Sequence, residues 1–347
     1  MPAKTIPVDL AVGMVLPHDI TEIRKASDTD QSFKGPAFRK GHIIRTEDIE
    51  HLRRLGKEHI YILTLDEDEI HENEAARLIA DGLMGEGVVP SGRPVEGKIG
   101  LHAAHDGLLK VNTDALYRFN LLGEVMCATL HDNTPVKKGE QVGATRLIPL
   151  IGKRKTVEEA VRIAGECGGV LSVRELRRAR AGLVITGSEI FSGRIRDAFE
   201  PVLRDKLAKL GSEVKKVCFA PDDVALIAGE IKACLNDGVD LIVTSGGMSV
   251  DPDDVTRAAI AEAGAVDICY GTPVLPGAMF LVGRIGEVPV LGLPACGMFH
   301  RITVFDLILP RVLCGEKITR ADLARLGHGG LCRTCKNCTY PVCGFGK

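Results

Sequence analysis

The chain predicts a three-layer α/β domain with a mostly parallel sheet, preceded by a smaller β-rich α+β region. Two observations carry this expectation. From Gly182 onward, short runs that are almost wholly apolar alternate with stretches of helical period. Continuous apolar character is what strands covered on both faces need.

The N-terminal region mixes patterns. Thr46 to Leu55 reads as a helix, with Thr46 as cap, Ile49, Leu52 and Leu55 on one face and Gly56 as the stop. His59 to Leu63 reads as a strand from its β-branched and aromatic content. An acidic helix is expected near Asp66 to Leu83, then a Gly- and Pro-rich hinge or exposed loop from Gly85 to Gly100. Leu101 to Leu150 suggests a small β-rich unit, and Val157 to Ala164 a short helix.

In the α/β part the expected strands are Leu183 to Thr186, Val214 to Phe219, Leu241 to Thr244 and Val288 to Leu293. Helices are expected between them. One carries Phe199, Leu203 and Leu207 and closes at Gly211. One is capped at Asp222, one runs from Asp254 to Ala263, and one from Met298 to Val312. The expected divisions are 1–65, 66–178, 179–315 and a Cys-rich tail at 316–347.

Composition narrows the function classes. The net charge of −2, the absence of Trp and 4% aromatic residues exclude a basic nucleic-acid face with stacking platforms. Arg174 to Arg180 then reads as a solvated linker. No secretory pattern opens the chain and no uncharged run reaches 18 residues, so a cytoplasmic protein without membrane contact is expected.

Three strand ends carry loops suited to an anionic ligand, because open α/β sheets bind ligands beyond the carboxyl ends of their strands. They are Thr186-Gly187-Ser188-Glu189, Ser245-Gly246-Gly247-Met248-Ser249-Val250-Asp251-Pro252-Asp253-Asp254 and Pro294-Ala295-Cys296-Gly297. Glycines let backbone N–H groups approach phosphate oxygens, and following helix N-termini add partial positive charge. Thr186, Ser245 and Ser249 offer hydroxyls, while Asp197, Asp251, Asp253 and Asp254 can hold Mg²⁺. One glycine loop alone is equally a plain turn; three at one sheet edge beside acidic residues favour a phosphorylated ligand.

These runs, with Gly193-Arg194-Ile195-Arg196-Asp197, Asp254-Val255-Thr256 and Leu293-Pro294, resemble the ordered motifs of the molybdopterin-binding domain shared by molybdopterin adenylyltransferases and molybdenumtransferases. Leu10 to Ile20 resembles the opening of the molybdenumtransferases. The resemblance implies molybdopterin or its adenylylated form, Mg²⁺ and molybdate as ligands, with molybdate inserted and AMP released. It also implies a homodimer and molybdoenzyme maturation proteins as partners. By position it assigns Glu189, Asp197 and Asp254 to catalysis, and Thr186, Gly187, Ser245, Gly246, Gly247, Ser249, Pro294 and Cys296 to the cofactor.

The chain departs from that family at three places. Ser188 stands where Asp precedes the Glu. Leu275-Pro276-Gly277-Ala278-Met279 replaces Lys-Pro-Gly-Lys-Pro, and Leu293-Pro294-Ala295-Cys296-Gly297 replaces Leu-Pro-Gly-Asn-Pro. Losing two cations weakens recognition of phosphate or molybdate. Cys296 is either a thiolate donor to molybdenum or a small packing residue.

Cys332, Cys335, Cys338 and Cys343 fall within twelve residues, a ligand set for an iron–sulfur cluster or a zinc ion; redox thiols are the simpler reading. His102, His105 and Asp106 lack a further ligand and read as polar surface or hinge residues. Two functional classes stand side by side: a molybdenumtransferase-like enzyme, and a non-catalytic cofactor carrier or sensor with the tail as its metal element. A nucleotide- or amide-hydrolysing enzyme built on the same domain is a third.

Overall fold

The structure is a computed structural model and describes residues 4–24, 33–62, 66–249, 251 and 253–347. Leu63, Val250 and Pro252, which belong to expected elements above, lie outside the described residues. The chain divides into two compact units: residues 1–102, 112–129 and 141–172, and residues 103–111, 130–140 and 173–347. Among the described residues no helix is long and apolar enough to cross a membrane.

In the first unit, Lys4–Pro7 pairs antiparallel with His59–Ile62, and Ile20–Arg24 with Phe33–Phe38. The helix Asp48–Arg54 closes a small core of Val8, Leu16, Ile20, Phe38, Ile44, Leu52 and Ile60. Thr46 makes no cap; the residue before this helix is Glu47, which has no side-chain capping bond. The expected acidic helix is shorter than its sequence pattern, running Glu72–Leu83, because Glu69–His71 forms a strand paired with Ile151–Lys153. The expected Gly/Pro hinge contains Val88–Pro90, which joins Lys98–Ala103, Gln141–Leu147 and Val125–Thr129 in a four-stranded sheet. Thr113–Asn120 is a helix inside the stretch read as β-rich, capped by Asn112, whose side chain accepts from Ala115 N.

The second unit is built on a six-stranded sheet. Its strands are β1 (Arg180–Thr186), β2 (Glu213–Ala220), β3 (Leu241–Ser245), β4 (Val266–Tyr270), β5 (Leu281–Ile285) and β6 (Val288–Leu293). The order is 2-1-3-6-5-4; β2, β1, β3 and β6 pair in parallel, while β5 is antiparallel to both β6 and β4. The helices are α1 (Ser188–Phe191), α2 (Phe199–Lys209), α3 (Val224–Asn236), α4 (Thr256–Glu262), α5 (Val304–Leu313) and α6 (Arg320–Arg325).

A separate core fills each face of this sheet. Ala181, Leu183 and Ile185 of β1 pack with Phe199, Leu203 and Leu207 of α2 and with Phe305 and Ile308 of α5. Val184 and Ile242 point the other way, against Ile227 and Ile231 of α3 and Ile260 of α4. Both faces of β1 and β3 are therefore buried, which is why these strands read as unbroken apolar runs. Strands β4 and β5 were not anticipated: Asp267, Gly283 and Arg284 interrupt their apolar pattern, and they form an antiparallel edge hairpin.

Three helix starts also differ from the sequence reading. Asp223, not Asp222, caps α3, its carboxylate accepting from Leu226 N at 2.9 Å. Helix α4 begins at Thr256, leaving Asp254 in the preceding loop. Helix α5 begins at Val304 because Thr303 and Asp306 form a capping box there; Ala295–Met298 is a separate 3₁₀ turn.

The last helices are tied by a charged node. Arg311 is 9% exposed and donates to Glu316 Oε2 and Asp322 Oδ1, each at 2.8 Å. Burial works against the Asp322 charge, but the Thr319 hydroxyl and amide and the Arg311 guanidinium outweigh it and hold the carboxyl at about 2. A depressed carboxyl stabilises the fold above its unfolded pKa, and that contribution is lost as pH falls towards the folded value. Thermal melts of the wild type should therefore fall more steeply than those of Asp322→Asn between about pH 4 and about pH 2. Parallel curves would show that the node does not couple to protons.

Candidate functional site

The carboxyl ends of β1, β3 and β6 lie side by side, and one hydroxyl ties the first two together. Thr186, at the end of β1, donates from Oγ1 to the Ser245 carbonyl at 3.1 Å and shares a 2.9 Å hydrogen bond with the Thr256 hydroxyl at the start of α4. Thr186 is 2% exposed, and Ser245 and Thr256 are fully buried. These side chains lie beneath the loop that follows β3; they hold its shape.

The next two residues follow from that arrangement. Gly246 and Gly247 both have positive φ, +88° and +55°. A Cβ on Gly246 would overlap the Thr186 carbonyl oxygen, and one on Gly247 would overlap the Thr256 hydroxyl. Only glycine gives both the conformation and the close approach. Met248 is buried against Gly292 of β6, where an added Cβ would lie 2.8 Å from the methionine methyl group. The Met248 carbonyl accepts from the Tyr270 hydroxyl at 2.7 Å, and Arg257 stacks over that ring with its guanidinium carbon 4.8 Å from the centroid. Ser249, next along, is exposed. Among the described residues, the buried hydroxyls of Thr244 and Ser245 have no hydrogen-bond partner.

On the β1 side, Gly187 opens the one-turn helix α1 with φ +139°. Ser188 and Asp222 bond reciprocally: Ser188 N donates to Asp222 Oδ2 at 2.8 Å, and Asp222 N to Ser188 Oγ at 3.2 Å. The Ser188 departure thus supplies a short hydroxyl that fastens this loop to the one after β2, where an Asp would set two carboxylates against each other. Glu189 is exposed beside it.

The acidic residues are engaged locally. Asp197 accepts from Phe199 N at 2.9 Å and Glu200 N at 2.8 Å, so it caps the start of α2. Asp254 accepts from Asp251 N at 3.2 Å, and Asp251 from Asp253 N at 3.1 Å. Among the described residues, no three His, Cys, Asp or Glu side chains are grouped as ligands of a metal ion. This holds for the acidic residues and for the tail cysteines alike.

Cys296 sits half-buried in the 3₁₀ turn after β6, two residues beyond Pro294. Burial pushes its thiol up, against a local hydrogen bond that acts the other way, so a metal-binding thiolate is disfavoured there. Leu275 and Ala278 lie on the loop between β4 and β5, at the same end of the sheet as the glycine loops. Leu275 N donates to Gly330 O, and Cys332 N to Leu275 O, both at 2.8 Å, which pins the root of the tail to this loop.

The tail returns on itself. Gly346 N donates to Gly329 O at 2.9 Å, and Phe345 is buried in the core beside α5. Cys335 is exposed, and Cys332, Cys338 and Cys343 are half-buried. The sequence reading missed Met248, Tyr270 and Gly292 as supports of the site. Thr256 stood in a quoted motif and signalled itself only by order.

Residues 182–313 match the profile of the family described as "Probable molybdopterin binding domain". Residues 5–64 match a domain of unknown function (DUF8806). A CinA-like protein of Mycobacterium sp. (strain MCS) is 42% identical over 84 residues, covering 24% of this chain and 20% of that protein. A CinA-like protein of Mycolicibacterium vanbaalenii is 37% identical over 110 residues, covering 32% and 24%. The matched stretch thus spans about a fifth to a quarter of these curated relatives. Among solved structures, the molybdopterin biosynthesis Mog protein from Mycobacterium ulcerans is 21% identical, with 40% of this chain and 97% of that chain covered at TM-score 0.34. The molybdopterin biosynthesis moea protein from Pyrococcus horikosii is 19% identical, with 72% and 75% covered at TM-score 0.34. The profile match supports a molybdopterin-related small-molecule ligand for the second unit.

The Thr186 contact makes a specific demand of Gly246. Gly246→Ala should destabilise the chain by about 3–5 kcal/mol, since the new Cβ meets backbone as well as a disfavoured φ. Gly193→Ala, at φ +72° with open space around it, should cost only about 1–2 kcal/mol. Denaturant melts compare the two; equal costs would mean that the loop is free to move off Thr186.

Proposed function

We propose that the second unit binds molybdopterin in its adenylylated form and serves molybdenum cofactor assembly, resembling the transferase that inserts molybdate with release of AMP. The observation that carries this reading is the Gly246-Gly247 turn locked over Thr186 and Thr256, within the residues that match the molybdopterin-binding profile. Backbone N–H groups of that turn and the exposed Ser249 hydroxyl hold the phosphate. Gly187 keeps the backbone after β1 close by, and Glu189 faces solvent at the same edge.

Asp254 is the carboxylate best placed to act with Mg²⁺, because Asp197 caps a helix. Mg²⁺ is bound by one or two carboxylates together with ligand phosphates, so a group of three acids is not required of the protein. When bound, the ion would neutralise charge at the phosphate linkage. The remaining contributions are the chain's own: orienting the phosphate on the glycine turn and positioning molybdate beside it.

A second reading has its own support. Leu275 and Ala278 leave the rim without the two expected cations. That difference spares binding and weakens transfer, which favours a carrier or sensor that holds the cofactor. In either reading the four-thiol tail, in the loop closed by the Gly346–Gly329 bond, takes up an iron–sulfur cluster or zinc, and the ion gathers the cysteines as it binds. A homodimer in the cytoplasm that meets molybdoenzyme maturation proteins completes the proposal.

Anaerobic incubation of the purified chain with adenylylated molybdopterin, molybdate and Mg²⁺ separates these readings. AMP release that falls by about 10²-fold or more in Asp254→Ala supports the enzyme. Tight pterin binding without release supports the carrier, and no pterin binding sinks both. Metal analysis of the same sample should find iron or zinc, lost in Cys335→Ser/Cys338→Ser.

A further inference from the structure

The carboxyl ends of β1 and β2 carry more exposed apolar surface than phosphate binding can use. Phe191 on α1, Ile195 in the following loop and Phe219 near the end of β2 are 56%, 57% and 39% exposed. All three line one open cavity of about 490 Å³, together with Arg196 and two carboxylates already engaged, Asp197 by the Phe199 and Glu200 amides and Glu200 by Arg204. Water-exposed aromatic rings gathered in one concavity mark a ligand surface more than a packing fault.

Position and charge select the occupant. The cavity borders the loop after β1: Ile190 is on its lining, and a Cβ on Gly187 would lie 3.7 Å from Ile190 Cδ1. Arg196 on the lining makes no ion pair or side-chain hydrogen bond among the described residues. Flat apolar side chains and one available guanidinium suit a planar ring with polar edges.

We propose that Phe191, Ile195 and Phe219 form a stacking subsite for a planar nitrogen heterocycle whose phosphate is held on the glycine loops, with Arg196 at its polar edge. The phosphate end of this proposal rests on the function proposed above; the ring end rests on the cavity alone. A pterin and an adenine both have the required chemistry, and the specificity of the site is set by which of them these side chains accept.

The test uses the full chain and three probes: neopterin monophosphate, AMP and inorganic phosphate. Wild-type protein should bind at least one ring compound about tenfold or more tightly than inorganic phosphate. Phe191→Ala/Ile195→Ala, which changes exposed positions outside the sheet, should lose that advantage and keep its affinity for inorganic phosphate. Phe219→Leu, which keeps apolar cover on the strand, should lose part of it, with unchanged melting temperature as the control for folding. Loss confined to neopterin monophosphate places the pterin in the subsite; loss confined to AMP places the adenine there. Unchanged ring affinity in the double variant overturns the proposal, as does a change only in sedimentation, which would make the patch a protein-docking face. Wild-type protein that binds phosphate but neither ring compound overturns the subsite and spares the glycine loops; failure to bind any probe overturns both.

Discussion

The Thr186 hydroxyl lies where three chain segments meet. It donates to the backbone end of β3, pairs with the Thr256 hydroxyl at the start of α4, and stands at the end of β1. With its partners fully buried, each unmade bond would carry the full cost of a desolvated polar group. The turn above it has little room. Its two glycines are fixed by contact with Thr186 and Thr256, Met248 anchors its far side on β6, and Tyr270 holds the Met248 carbonyl. Backbone N–H donors in a turn held this way carry no titratable charge and need no reorganisation when an anion arrives.

Around this centre the departures from the resembling family have local physical consequences. Ser188 joins two neighbouring loops through Asp222. Asp197 is taken up by the first turn of α2, so its carboxylate is already satisfied by two backbone donors. The loop between β4 and β5 presents Leu275 and Ala278 and is tied to the root of the cysteine tail through Gly330 and Cys332. The rim carries no cation at these two positions, and the root of the tail is fastened to it. In the function proposed above, binding rests on the backbone geometry of the glycine turn and transfer on charges that this rim lacks.

Much of the parallel sheet was legible in the sequence because burial on both faces leaves a nearly unbroken apolar signal, as in Leu183 to Thr186 and Leu241 to Thr244. The edge hairpin was not, because β4 and β5 carry Asp267 and Arg284, which pair with each other at 2.7 Å and break the pattern. Helix starts were misplaced where several capping residues lie close together: Asp222 beside Asp223, and Asp254 before Thr256. The glycine loops could be found from spacing, but their supports could not. Nothing local in the sequence says that Met248 will rest on Gly292 or that Tyr270 will reach Met248, since those contacts exist only once the sheet has formed. The spacing of the tail cysteines puts four thiols close in sequence; among the described residues they are not gathered as a metal site.

Hydrogen-exchange mass spectrometry with and without a phosphorylated pterin tests the central claim most directly, because it reports which backbone amides the ligand covers. The account predicts slowed exchange in peptides spanning Gly187 to Asp197 and Gly246 to Ser249, with residues 5–62 unchanged. Protection confined to residues 5–62, or none at saturating ligand, would contradict it.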